Sequence, residues 1–255
     1  MSVVRTAIDG AIGRITLNRP ERMNAINIAL ATELAEALQR LGRQQDVNVI
    51  LVRGAGGNFC AGGDFDEVER LRAGGPGELA ELFTAFRRAC DTIAELDVPV
   101  VVAVEGAAAA GGFEFLQAAD IVLVSDSARI SDNHIRFGMI PGGGSTARLP
   151  RLLGHQRALG VLLSGDRLTG PEAVALGLAY RCYSAETFND EVESFVAALA
   201  GRSRRAVTTI KRLVTDGLRD SLEQALTRET EAVVDHIIGQ GAQAAVAFES
   251  RKAHA

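Results

Sequence analysis

Three stretches of the chain are apolar at successive positions rather than alternate ones: VNVILVRG at 47–54, VVVAVEG at 100–106 and IVLVS at 121–125. A strand of this kind is buried on both faces, the state of a parallel sheet covered by helices on each side. The segments between them fit that arrangement. NIALATELAEALQRLGRQQ, residues 27–45, sets Leu30, Leu34, Ala37, Leu38 and Leu41 on one helical face, and residues 77–96 repeat the helical period until Pro99 stops it. Ahead of them, 3–9 and 12–18 alternate apolar with polar residues and meet at Asp9-Gly10, which predicts a β-hairpin. A further short strand is expected at 128–131, with helices beginning near Gly111 and Ser145. From Pro171 the pattern is helical over 171–177, 187–200, 204–217 and 220–239, interrupted only by AYRCY. The expected architecture is α/β: repeated strand-strand-helix units over about residues 1–200, then a helical extension over 201–255.

The 255 residues suffice for one large domain, alone or with an appended segment. Apolar residues make up 47% and charged ones 23%, and no apolar run reaches the roughly 18 residues that span a bilayer. No membrane segment is expected, and the N-terminus does not read as a secretory signal, so the expected location is cytoplasmic. Cys60, Cys90 and Cys182 are odd in number and lack paired spacing, which points to reduced thiols and to no metal site. A net charge of −5 with dispersed Lys and Arg gives no reason to expect nucleic acid.

Nucleophile-elbow, zinc-protease, P-loop and dinucleotide-binding motifs are all missing from the sequence. What remains is a pair of glycine-rich turns, NFCAGGD at 58–64 and EGAAAAGGFEF at 105–115. Glycines there serve tight packing, or they bring backbone amides close to a ligand oxygen, and two converging amides would make an oxyanion hole. Glu114 follows Gly111 on the same first helical turn, between phenylalanines. A carboxylate in such surroundings is costly to bury unless it is paired or used, and desolvation raises its pKa toward the range useful in acid-base chemistry.

LNRPERMNAIN, GNFCAGGDF, PVVVAVEGAAAAGGFEFLQAADIVLVSDSARI, FGMIPGGGSTARLPRLLG and LLSGDRLTGPEAVALGLAYRC resemble, in order and spacing, the enoyl-CoA hydratase/isomerase (crotonase) superfamily, from about residue 3 to the C-terminus. The resemblance implies a crotonase-like spiral of strand-strand-helix turns with a C-terminal helical trimerisation region, assembled as a homo-trimer or homo-hexamer. It implies an acyl-CoA thioester substrate, with coenzyme A as part of that substrate and no separate cofactor, and a place in reactions such as fatty acid metabolism. By position it assigns the oxyanion hole to the amides of Ala61 and Gly111 and a water-positioning role to Gly142. CoA contacts fall on Met23, Asn24, Ala25, Gly63 and Asp64, and on Phe248 and Arg251 from a neighbouring subunit.

Enoyl-CoA hydratases of this superfamily use two glutamates around one water. Glu114 matches the first, whereas His134 stands where the second is expected. His134 reads either as a filler in a lineage that lost the chemistry or as an imidazole doing the carboxyl's work on the α-carbon proton. Asp132, two residues earlier, lies on the same side if the strand is regular, and is a third catalytic candidate. The resulting expectation is a hydratase or isomerase acting through a thioester enolate. The alternatives are a retro-Claisen hydrolase or lyase of a β-dicarbonyl substrate and a non-catalytic acyl-CoA binder.

Overall fold

The computed structural model describes residues 2–240. β1 (Val4–Asp9) and β2 (Ile12–Leu17) form the expected antiparallel hairpin. Its turn is Gly10-Ala11, one residue further on than expected, because Asp9 still pairs with Ile12. Next come α1 (Ile28–Gly42), β3 (Val49–Gly54), α2 (Phe65–Gly74), α3 (Pro76–Glu95), β4 (Val100–Val104), β5 (Ala107–Ala109) and α4 (Gly111–Leu116). β6 (Ile121–Ser125), β7 (Arg129–Ser131), α5 (Ser145–Leu153), α6 (His155–Ser164), α7 (Gly170–Leu176), β8 (Arg181–Tyr183) and α8 (Phe188–Ala200) follow. Two stretches, Pro20–Arg22 and His134–Phe137, are single 3-10 turns.

The main sheet has the order β1-β2-β3-β4-β6-β8 and is parallel beyond the first pair. β5 and β7 form a separate parallel pair. The unbroken apolar runs follow from two-sided burial. On β4, Val100, Val102 and Val104 face a core that includes Leu34, Leu38, Phe86 and Ile93 from α1 and α3. Val101 and Ala103 face the opposite side, where α8 supplies Phe188, Val192 and Val196. Asn27 caps α1 by accepting a hydrogen bond from the Leu30 amide, a contribution of about 1 kcal/mol.

The chain divides into two compact units between Arg202 and Ser203. The second contains α9 (Arg204–Gly217), capped by Ser203, and α10 (Leu222–Gln240). The helical stretch from Pro171 also holds β8, in what the sequence shows only as a break, and α2 was not expected at all. Leu71 is the only buried residue of α2, so it carries little periodicity, but Asp64 caps it through the Glu67 amide. No helix among the described residues is long and apolar enough to cross a membrane.

Candidate active site

The glycine-rich loop at 58–64 is fastened to β5. The Cys60 amide donates to the Ala107 carbonyl, and the Ala109 amide donates back to the Cys60 carbonyl, both at 2.9 Å. On the other flank, the Ile26 amide donates to Gly62 and the Asp64 amide to Ile26, at 2.7 and 2.8 Å. Gly62 is thereby pressed against residues 109–111, where a Cβ on it would overlap Ala110. The result brings Gly63 and Gly111 to one cavity of about 390 Å³. Gly111 is the first residue of α4, where an amide has no intrahelical acceptor, and neither its N–H nor that of Gly63 donates to an acceptor among the described residues. The Ala61 amide differs: it donates to the Met23 carbonyl at 3.0 Å. That bond takes up the donor which the motif position assigned to an oxyanion hole.

Glu114 lies one turn into α4, lines the same cavity and is 2% exposed. Its Oε1 accepts two hydrogen bonds, from the amides of Gly143 at 2.7 Å and Ser145 at 3.1 Å. These amides belong to the start of α5, where free N–H groups and the helix dipole favour an anion. Gln117 supports them by donating to the Ser145 hydroxyl at 2.7 Å. Gly142 is not part of this arrangement; it is exposed and lies against the Phe83 ring.

His134 opens the 3-10 turn that follows β7, and it too lines the cavity. The strand ends at Ser131, so strand alternation does not relate His134 to Asp132 as expected. They meet through the turn instead: Nδ1 of His134 lies 2.7 Å from Oδ1 of Asp132, which is 1% exposed. Apart from Asn133 the remaining wall is apolar, with Leu82, Phe83 and Phe86 from α3, Phe65 from α2, and Phe137 and Met139 after His134.

The positions assigned to CoA divide into two groups. Met23 is half exposed, and it lines a second cavity of about 580 Å³ that shares Ala61 and Asn133 with the first. Ala25 is buried, and Gly63 faces the first cavity. The Asn24 side chain is fully buried: it accepts from the Arg19 amide and donates to the Ala55 and Asn58 carbonyls. Asp64 pairs with Arg19 at 2.6 Å while capping α2. Both side chains are thus committed to the scaffold. Phe248 and Arg251 lie outside the described residues.

Sequence reasoning passed over the Gly143 and Ser145 amides and the phenylalanine wall. The run of glycines ahead of Ser145 carried the signal for the amides, since a helix entered through glycine exposes its first N–H groups.

The sequence pattern of the enoyl-CoA hydratase/isomerase family matches residues 7–254. The chain belongs to that family. It is 31% identical over 225 residues to "Probable enoyl-CoA hydratase echA8" of Mycobacterium leprae, covering 87% of this chain and 85% of that one. It is 30% identical over 232 residues to the 1,2-epoxyphenylacetyl-CoA isomerase of Escherichia coli, covering 91% and 88%. A Thermobifida fusca protein solved in complex with acetoacetyl-CoA superposes with a TM-score of 0.82 at 26% identity, covering 93% of this chain and 96% of that one. The protein is therefore a hydratase/isomerase-type acyl-CoA enzyme on the crotonase fold.

In this family member the two titratable groups of the cavity are tuned in the same direction. Burial pushes the Glu114 carboxyl above its ordinary value, and the Ser145 amide, the His134 charge and the Gly143 amide offset it only in part. For His134 burial acts downward, but the Asp132 hydrogen bond and the charges of Asp132 and Glu114 outweigh it, so the imidazole holds its proton to a higher pH. An imidazole with one nitrogen fastened has the other for proton transfer. Burial raises the Cys60 and Cys90 thiols to about 12, so neither supplies a thiolate near neutral pH.

Proposed function

We propose that the enzyme adds water to, or moves the double bond of, an enoyl-CoA, with Glu114 and His134 as the proton-handling pair and Asp132 as the group that orients the imidazole. The observation that carries this reading is the meeting of four elements at one cavity. These are the unengaged amides of Gly63 and Gly111, a buried carboxylate, and an imidazole tied to Asp132. The thioester oxygen takes the two amides, which stabilise the negative charge it gains as the enolate forms. In hydration Glu114 accepts a proton from water as the oxygen bonds to Cβ, and the His134 imidazolium delivers its proton to Cα. Exchange with solvent resets both groups. For isomerisation the same pair removes a proton from one carbon of the acyl chain and returns one to another.

The acyl group lies against Phe83 and Phe86, and the CoA portion extends past Met23 toward the second cavity, where Arg129 and Arg167 supply positive charge. Assembly as a trimer or a dimer of trimers is supported by α9 and α10, which leave Ile210, Val214, Val233 and Ile237 substantially exposed in the single chain. Sedimentation showing a stable monomer at micromolar concentration would contradict it.

A second reading draws on the Asp132–His134 pair itself. An imidazole fastened to a buried carboxylate is a competent base for water: it takes one proton as the oxygen adds to the ketone carbon of a β-ketoacyl-CoA, the bond to the α-carbon then breaks to leave a thioester enolate on the two amides, and the imidazolium returns the proton to that α-carbon. The Thermobifida fusca relative holds a ligand of that class. Product analysis by mass spectrometry decides between the readings. Crotonyl-CoA gaining one water supports the first, and acetoacetyl-CoA yielding acetyl-CoA and acetate supports the second. Binding of both esters without turnover contradicts them and leaves a non-catalytic binder.

A further inference from the structure

Gly143 is held at both of its polar ends. Its N–H donates to Glu114 Oε1 at 2.7 Å, and its carbonyl accepts from Nη1 of Arg148 at 2.7 Å. The other arm of that guanidinium, Nη2, donates to Oδ1 of Asp91 on α3 at 2.6 Å. Asp91 is bound in turn by Arg87 one helical turn earlier, at 3.2 Å. A chain of contacts thus runs from α3 through Arg148 and Gly143 to the carboxylate. The fit around it leaves little slack: a Cβ on Gly143 would overlap the Phe86 ring and approach Glu114 Oε2, and one on Gly144 would overlap Arg148 itself. Arg148 is about a quarter exposed and Asp91 nearly half, so as a plain ion pair they would add little to stability. Their placement is accounted for by the carbonyl they hold.

We propose that Arg148, braced by Asp91, is a positioning residue that fixes the Gly143 peptide so that its amide stays on Glu114, and that it thereby sets the orientation and proton affinity of that carboxylate. The inference rests on the reading of Glu114 as a proton-handling group. Because an amide donor favours the charged carboxylate, loosening Gly143 moves Glu114 further toward its protonated form. The titratable and charged groups around Glu114 are His134 and Asp132 on the segment after β7, Cys90 on α3 and Arg148 on α5. Neither His134 nor Asp132 touches the Arg148–Asp91 pair in any hydrogen bond.

The test combines kinetics with a carbon-13 titration of the Glu114 carboxyl in the full-length enzyme. Arg148→Met is expected to lower kcat on the order of 10- to 100-fold, the scale of a small misplacement of a reacting group, with KM changed by less than about threefold. The Glu114 midpoint should rise above wild type, and Arg148→Lys, which keeps one donor for the carbonyl, should recover part of both effects. An unchanged midpoint in folded Arg148→Met overturns the proposal, as does a loss of activity that tracks the melting temperature alone. If Arg148→Met does not fold, Asp91→Asn takes the same two readouts, with a smaller rise expected and no rise overturning it. Glu114→Gln separates the two levels: full activity there refutes the reading of Glu114, whereas an inactive Glu114→Gln beside a normal Arg148→Met refutes only the clamp.

Discussion

The Glu114 and His134 sides of the cavity hold their titratable groups by different means. Glu114 is fixed by the backbone: two amides at the start of α5 grip one oxygen, and Gln117 and Arg148 brace those amides from behind. His134 is fixed by one side chain: Oδ1 of Asp132 meets its Nδ1 at 2.7 Å and accepts from its backbone N–H at 3.4 Å, on a short turn that is otherwise largely exposed. A site held by backbone tolerates little change of residue at its contacts, because the Phe86 ring closes on Gly143 and Gly144 takes a φ of +121°, where a side chain is strained. A site held by a side chain can exchange its reactive group, provided the partner changes with it. On the proposed reading of the pair, the contrast is a physical reason for the side-chain-held side to carry an imidazole and the backbone-held side a carboxylate.

The largest effect is expected on the backbone-held side. Glu114→Gln keeps an oxygen for the Gly143 and Ser145 amides, so the fold should persist while kcat falls roughly 100- to 10,000-fold, the usual range for a lost acid or base. Stopped-flow turnover alongside a thermal melt checks both halves. Next comes the proposed oxyanion hole. Gly63→Pro removes a free amide and should cost on the order of 100-fold in kcat with binding less affected. Ala61→Pro removes an amide already bound to Met23 and should act on stability first. Equal kinetic losses in the two variants, with equal melting temperatures, would break the distinction between the amides.

Much of this was readable in the sequence because it rests on pattern. The unbroken apolar runs around Val101 and Leu123 announce strands buried on both faces, and they lie against α8 on one side and the α1–α3 core on the other. Glu114 stood out as a carboxylate among phenylalanines, and it is buried as expected. What escaped depends on hydrogen-bond bookkeeping that spacing does not encode. Ala61, Gly62 and Gly63 look alike in a motif, but only the fold shows that the first amide is taken by Met23. Asn24 and Asp64 sit in motifs that imply CoA contacts, and the fold adds what the motif does not show, that their side chains are engaged by Arg19 and neighbouring backbone. The meeting of Asp132 with His134 was anticipated for the wrong reason, since a 3-10 turn and not a strand brings them together.

A smaller effect is expected on the side held by a side chain. Asp132→Asn removes the charge that keeps the imidazole protonated, so the His134 midpoint should fall toward or below about 6.5, read by proton NMR of the ring. The sign carries into stability. With the folded value above the unfolded one, the pair's contribution is fully present below about pH 6.5 and is lost as pH rises through the folded value. Urea melts should therefore show the gap between wild type and Asp132→Asn narrowing as pH rises; a gap independent of pH would mean the contact is not an ion pair. The smallest effect concerns Ala110, the cap residue just before α4, which has a φ of +46°, a backbone conformation that disfavours a side chain. Ala110→Gly should raise stability by about 1 kcal/mol and leave kcat nearly unchanged, as a melt and a single assay will show.

The central claim is that the imidazole on the second side does chemistry rather than fills space. It is tested most directly by measuring kcat and acyl-CoA affinity together for His134→Ala, on whichever CoA ester the wild-type enzyme turns over. The account predicts a fall in kcat of roughly 100- to 10,000-fold with the dissociation constant changed by no more than a few-fold. Turnover retained at the wild-type rate would contradict it, and would leave Glu114 to move the proton alone.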